Sequence, residues 1–390
     1  MKKKICLILL GLISITTVLT QFAFTNISYA DNIELACKSK SAYLMDYNSN
    51  TVIYSKNENE RLPIASMCKV MTLLLSFDAI SNGQLNENDL IVISENASGM
   101  GGSQVFLEPN ADYKVSELLK SIVVASANDA CVAIAEKLCG SEELFVNKMN
   151  EKCKELNLQN TKFANCTGLP KPEQFSCAKD VAIMFKELIN HNEYFKYSNI
   201  WMDKISHPKD RVTEISNTNK LIRFYKGCDG GKTGFTSDAG HCLVASAKRG
   251  DMRLISVVIK APDSKTRFNE VSSMFNYGFA NYENKKIVSA DKPLNLSVSV
   301  LGAKENYVEV VAEKDLFLFS RKNTERSVEI NFICYDKIKA PLKKGEVVGE
   351  LQIFENNVLI NTIKVITNND VNEKSYFDNI IDIGENWALI

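Results

Sequence analysis

The spacing of apolar positions changes several times along the chain. Two short runs, Ala42-Tyr43-Leu44-Met45 and Thr51-Val52-Ile53-Tyr54, flank Asn48-Ser49-Asn50 and predict paired strands with a turn. After Pro63, an apolar run over residues 66–80 predicts a helix. Residues 115–137 predict two helical pieces broken near Ser126-Ala127-Asn128. Residues 142–156 predict an amphipathic helix with Leu144, Phe145, Met149 and Cys153 on one face, and residues 178–190 a further helix. Beyond Gly227 the runs 232–236, 241–247 and 252–259 are short and apolar or β-branched. Lys248-Arg249-Gly250-Asp251 makes a hairpin turn between the last two. Residues 266–282 predict a closing helix. Strand, helical insert, strands and terminal helix together predict an α/β (α+β) domain over residues 31–284, in which the early hairpin joins the late strands.

Over residues 286–368 the period is two, as in Leu294-Asn295-Leu296-Ser297-Val298-Ser299-Val300 and Leu351-Gln352-Ile353-Phe354, which predicts a small all-β domain spanning 285–369. In the tail, residues 370–390, Tyr376, Phe377, Ile380, Ile381, Ile383 and Trp387 recur at roughly helical spacing and would suit an interfacial membrane contact. Asp378, Asp382 and Glu385 oppose that, because anionic headgroups repel them; a tail packed on the protein is the other reading.

The other end carries Lys2-Lys3-Lys4, an apolar run from Ile5 to about Leu19, and Ser28-Tyr29-Ala30 before Asp31. This is the layout of a secretory signal peptide over residues 1–30, and it predicts an exported protein. The apolar core is short for a membrane anchor. Composition narrows the picture further. A chain of 390 residues with 45% hydrophobic residues is not disordered. Its 46 basic and 47 acidic residues leave no basic excess for nucleic acid. The eleven cysteines include no C-x-x-C pair and read as small buried thiols rather than a disulfide framework. His191, His207 and His241 are too few and scattered for a zinc site, so no metal or cofactor is expected.

Three short motifs carry candidate chemistry. Ser66-Met67-Cys68-Lys69 is S-x-x-K at the head of the apolar helix, so hydroxyl and amine share a face. A buried lysine beside a second cation is biased toward its neutral form and can take the hydroxyl proton. Ser126-Ala127-Asn128 offers a proton relay and an amide at the helix break. Lys232-Thr233-Gly234 begins a strand that continues through Phe235 and Thr236. There Lys232 can attract a carboxylate or act as the second cation, and Gly234 leaves room for a ligand backbone along the strand edge. Alone, each motif is weak; the three in this order are specific for penicillin-recognising serine enzymes.

On these motifs the sequence resembles the low-molecular-mass penicillin-binding proteins, the serine-type D-alanyl-D-alanine carboxypeptidases. The similarity extends to Arg61-Leu62-Pro63-Ile64-Ala65-Ser66, Met100-Gly101-Gly102-Ser103, the N-T-x-F-x-N-x-x-G-L stretch from Asn160 to Leu169, Asn217 to Leu221, and Ala340 to Gly349. The resemblance implies a serine transpeptidase/β-lactamase-like catalytic fold, with peptidoglycan stem peptides as substrate and β-lactams as inhibitors. It implies Ser66 as nucleophile, Lys69 as acylation base and Ser126 as proton donor to the leaving D-alanine. Asn128 would bind the substrate amide. Lys232, Thr233, Gly234, Phe235 and Thr236 would line the cleft, and Arg267 would receive the terminal carboxylate. The N–H groups of Ser66 and Phe235 would form the oxyanion hole.

The pattern departs from the family at Met67-Cys68, Ala127, Phe235 and Lys260 without removing a reacting group. The alternatives are a D,D-endopeptidase on cross-links, a β-lactamase, or a catalytically silent envelope scaffold. A class A β-lactamase would need a glutamate where Cys153 stands before Leu156-Asn157.

Overall fold

The structure is a computed structural model that describes residues 34–381, apart from 291, 306 and 379. The signal-peptide segment, Ile383 and Trp387 therefore lie outside the described residues.

The hairpin forms as β1 (Ser41–Asp46) and β2 (Val52–Lys56), with Asn50 at φ 61° closing the turn. Helix α1 (Lys69–Ser81) follows a 3-10 turn over Ala65–Cys68 that holds Ser66, so the nucleophile segment is tighter than the α-helix expected from residue 66 onward. Buried side chains occupy nearly every position from Lys69 to Phe77, which makes α1 a central helix rather than a surface one. The two pieces expected over 115–137 are α2 (Val115–Ala125) and α3 (Asn128–Cys139). Helices α4 (Glu142–Glu155) and α5 (Ala178–Leu188) complete the helical layer. In α4, Phe145, Met149 and Cys153 are buried as expected, but Leu144 is 56% exposed. One residue is a 100° step on a helix, which takes Leu144 off the face that Phe145 shares with Met149.

Strands β3 (Cys228–Thr236), β4 (Gly240–Arg249) and β5 (Met252–Ala261) join the hairpin in one antiparallel sheet of order β2-β1-β5-β4-β3. Alternation along β5 divides the core cleanly. Ile255, Val257 and Ile259 face the helical layer. Leu254 and Val258 face α6 (Ser264–Asn281) through Val271, Met274 and Phe275. The K-T-G strand β3 lies at the sheet edge, so one side of its backbone is not covered by another strand of that sheet.

A strand, Tyr282–Val288, runs across the expected boundary at 284/285 and pairs with Leu316–Arg321. A five-stranded antiparallel sheet with its own core around Val310, Leu351 and Val365 follows. Described cysteines are free thiols. Cys68, Cys131, Cys153, Cys166, Cys177, Cys228 and Cys242 are buried, whereas Cys37 and Cys334 are exposed, contrary to a uniformly buried set. No helix among the described residues is long and apolar enough to cross a membrane.

Candidate active site

The three motifs meet in one cleft. Lys69 Nζ donates to Ser66 Oγ at 2.9 Å, to Asn128 Oδ1 at 2.6 Å and to the Thr167 carbonyl at 2.5 Å. Across the cleft, Lys232 Nζ donates to Ser126 Oγ at 2.8 Å and to the Thr233 carbonyl at 2.9 Å. Each serine is thus paired with one lysine.

Both lysines are buried, and among the described residues neither forms an ion pair with a carboxylate. Burial lowers the pKa of Lys69. Burial, together with the charges of Lys69 and Arg267, holds Lys232 well below its ordinary range. Two ammonium groups in one dry site oppose each other, so the pair titrates as a unit. Both lysines are driven toward the neutral amine, Lys69 by burial and Lys232 by burial together with the neighbouring positive groups.

Local backbone choices hold these groups. Ser126 ends α2 in the left-handed region at φ 63°, which stops the helix and turns the hydroxyl toward β3. Asn128 is fixed by its own N–H on the Ser103 carbonyl at 2.7 Å and by Nδ2 on the Gly101 carbonyl at 2.6 Å. The neighbouring Asp129 carboxylate accepts from the backbone N–H groups of Val105 and Leu107, tying the 100–107 segment to the start of α3. Behind the nucleophile, buried Cys68 packs in the core and its Sγ donates to the Asn165 carbonyl at 3.2 Å.

The cleft-lining expectations separate on inspection. Thr233 Oγ1 donates to Thr218 Oγ1 at 2.8 Å. Thr236 Oγ1 accepts from the Ala239 N–H at 3.1 Å and fixes the turn after β3. Phe235 is 60% exposed at the cleft mouth and stacks on its cross-strand partner His241, with centroids 4.4 Å apart.

Gly234 needs correcting. A Cβ there would sit 2.5 Å from the Ile64 carbonyl and 3.2 Å from the Met67 N–H nitrogen, so its missing side chain makes room for the nucleophile turn rather than for a ligand backbone. This close approach brings Ser66 and Phe235 onto adjoining segments. Arg267 is buried and donates from Nη1 to the carbonyls of Gly234 at 3.1 Å and Cys242 at 3.3 Å, while its Nε has no hydrogen-bond partner among the described residues. It braces the end of β3, and burial lowers its pKa to about 10.

Residues 28–263 match the family model described as D-alanyl-D-alanine carboxypeptidase. The chain belongs to that family. Residues 282–373 match the C-terminal domain of penicillin-binding protein 5. A D-alanyl-D-alanine carboxypeptidase of Bacillus subtilis (strain 168), DacF, is 38% identical over 377 residues, covering 96% of each chain. Penicillin-binding protein 5 from Haemophilus influenzae superposes with a TM-score of 0.67 at 33% identity, over 86% of this chain and 98% of that one. PBP3 from Streptococcus pneumoniae, described as a peptidoglycan synthesis regulatory factor, gives a TM-score of 0.70 at 27% identity, over 86% and 99%.

Within this carboxypeptidase-family cleft, the motifs did not by themselves point to Thr167, Gly168, Thr218 and Asp129. Thr167 and Gly168 lie in the N-T-x-F-x-N-x-x-G-L stretch, whose glycine is the available signal. Gly168 has φ 85°, and a Cβ there would fall 2.1 Å from the Ala65 carbonyl. Cys153, standing where a class A β-lactamase would need glutamate, is buried among apolar side chains of α4.

Proposed function

We propose that this chain is a serine D-alanyl-D-alanine carboxypeptidase that trims the terminal D-alanine of peptidoglycan stem peptides through Ser66. The observation that carries the reading is the 2.9 Å contact between Lys69 Nζ and Ser66 Oγ, with no ion pair from a carboxylate to Lys69 among the described residues. Ser66 Oγ attacks the carbonyl carbon of the D-Ala–D-Ala bond as its proton passes to the neutral Lys69 amine. The N–H groups of Ser66 and Phe235 take the developing oxyanion; one such donor is worth about 10²–10³ in rate. The C–N bond then breaks. Ser126, held by Lys232, passes its proton to the departing nitrogen as it takes up the one Lys69 received from Ser66, and D-alanine leaves with Lys69 neutral again. Water attacks the remaining ester as one of its protons passes to Lys69; the ester C–O bond breaks, Lys69 hands that proton to Ser66 Oγ, and the product leaves as a carboxylate after losing its own proton to solvent.

The buried Arg267 guanidinium and the two buried lysines, none of them ion-paired to a carboxylate among the described residues, give the cleft a basic lining that favours a substrate ending in a carboxylate. Arg267 acts on that carboxylate through its charge and through the β3 end it braces. β-Lactams would acylate Ser66 by the same attack. The catalytic unit ends with α6, and the β-rich unit begins at the strand Tyr282–Val288 that crosses the 284/285 boundary.

The setting is extracytoplasmic, by export through residues 1–30. Peripheral membrane contact through residues 370–390 is supported by the exposed Tyr376, Phe377, Ile380 and Ile381. Sedimentation with anionic and neutral vesicles, with and without residues 370–390, tests this; equal sedimentation of both forms would reject it.

The deciding experiment measures free D-alanine from a D-Ala–D-Ala-terminated pentapeptide with the wild type and Ser66→Ala. Release by the wild type alone is expected. Release from neither overturns the carboxypeptidase reading, and covalent labelling by penicillin then separates an endopeptidase from a silent scaffold.

A further inference from the structure

Strand β3 is paired on one side only, to β4, where Lys232 stands opposite Val244. Just before Lys232 its other side is held by side chains. Ser198 Oγ donates to the Asp229 carbonyl at 2.6 Å, and Asn219 Nδ2 donates to the Gly230 carbonyl at 3.4 Å. Tyr194 goes further. Its hydroxyl accepts from the Gly231 N–H at 3.1 Å and donates to the Gly231 carbonyl at 3.4 Å. One hydroxyl thus takes both backbone groups of the residue that precedes Lys232. Gly230 makes room for it, since a Cβ there would fall 2.9 Å from the Tyr194 ring.

Tyr194 is 1% exposed and opens the short helix Tyr194–Ser198. Its ring meets Phe77 of α1 edge-on, with centroids 6.2 Å apart, and Phe185 of α5 at 6.1 Å. Helix α1 begins at Lys69, so one side chain stands between the helix that carries the first lysine and the strand that carries the second. Packing alone would be served as well by phenylalanine. A hydroxyl in so apolar a setting is costly unless it is bonded, and here both of its bonds go to Gly231. Burial pushes the phenol pKa up, so the group stays a neutral O–H that can accept and donate at once.

We propose that Tyr194 is the positioning residue for Lys232. Its hydroxyl fixes the backbone of Gly231, and that backbone sets where Lys232 Nζ meets Ser126 Oγ at 2.8 Å. Tyr194 itself touches neither the serines nor the lysines; it acts through the strand. Without the hydroxyl, the Gly231 N–H and carbonyl lose their partner on the open side of β3, and the lysine loses its fixed origin. This rests on the reading of Ser126 as the proton donor and adds the residue that keeps that donor in register.

The test is a double-mutant cycle on penicillin acylation, read by stopped flow for the wild type, Tyr194→Phe, Lys232→Met and the double variant. Tyr194→Phe should slow acylation roughly ten-fold in the wild-type background, since ångström-scale misplacement costs up to about 10² in rate. Where Lys232 is already methionine the same change should cost less than about two-fold, because residues that act through one another are not additive. The inflection of acylation with pH should also move up in Tyr194→Phe, in the same direction as on removing Lys232, because a displaced lysine couples less to Lys69. Ser198→Ala drops an edge bond without touching Gly231; it should lower the melting temperature and leave acylation unchanged. Equal slowing by Tyr194→Phe in both backgrounds, or equal slowing by Ser198→Ala, makes Tyr194 a general support of the fold and overturns the proposal. So does a wild-type rate in Tyr194→Phe, or a Tyr194→Phe chain that does not fold. Penicillin reports on Ser66 whether or not D-alanine is released. A wild type that acylates but frees no D-alanine therefore overturns the carboxypeptidase reading alone, and one that does not acylate overturns both.

Discussion

Ser126 Oγ accepts a hydrogen bond from Lys232 Nζ at 2.8 Å while its backbone sits in the left-handed region at φ 63°. For a residue with a Cβ that conformation costs about 1–2 kcal/mol. The helix break is therefore strained, and the strain puts the hydroxyl where the leaving group needs a proton. Ser126→Gly and Ser126→Ala separate the two effects. Both remove the hydroxyl and should slow D-alanine release by about 10²–10⁴. Only glycine relieves the strain, so Ser126→Gly should melt above Ser126→Ala by calorimetry. Near-wild-type release by either variant would sink the relay role.

The lysine pair gives a pH prediction. Lys69 must be neutral to accept the Ser66 proton, so penicillin acylation should rise with pH, with its inflection below the ordinary lysine value of 10.5 because burial lowers the pKa. Two ammonium groups in one site lower each other's affinity for protons. Lys232→Gln removes one of them, and the inflection should move up toward 10.5. Stopped-flow acylation from pH 6 to 10 reads this directly; an unmoved inflection would mean that the two lysines are uncoupled.

Much of this site was legible because catalysis and helix geometry share a period. Ser66 and Lys69 lie three residues apart and must share a face, and the Ser126-Ala127-Asn128 break interrupts an otherwise continuous apolar pattern. The sheet was legible through turn residues and alternation, down to the early hairpin joining the late strands. Long-range backbone approach was not legible. Nothing local in Gly234 says that Ile64 packs against it, and nothing local in Gly168 says that Ala65 does. The role of Arg267 also depends on a contact across the sheet, with the Gly234 and Cys242 carbonyls. In α4, Leu144 beside Phe145 was assigned by residue type, whereas a 100° step per residue decides exposure.

Gly168 lends itself to a contrast with Gly83. Both have positive φ, 85° and 72°, so an alanine is strained at either. A Cβ on Gly83 would meet nothing within 4 Å, whereas one on Gly168 would fall 2.1 Å from the Ala65 carbonyl and 2.9 Å from the Ser66 nitrogen. Gly83→Ala should lose about 1 kcal/mol of stability and keep its activity. Gly168→Ala should lose more stability, and by displacing the nucleophile turn should slow acylation at least ten-fold, since ångström-scale misplacement costs up to about 10² in rate. Equal acylation by the two variants would show that the contact at Ala65 yields without moving Ser66.

Burying Lys232 also links stability to pH, and the sign follows from proton counting. In the unfolded chain its amine holds a proton up to about its ordinary value of 10.5; in the folded chain, burial and the Lys69 charge release it well below that. Between the two values the unfolded state binds more protons, so raising the pH favours folding. The penalty for the buried charge is fully present below the folded pKa and fades as pH approaches 10.5. Lys232→Met has no such group, whatever offset it brings from the lost bonds to Ser126 and Thr233. Denaturant unfolding of both proteins from pH 6 to 10 should therefore show the wild type gaining stability relative to Lys232→Met as pH rises. A constant difference across that range would mean that Lys232 stays protonated in the folded cleft.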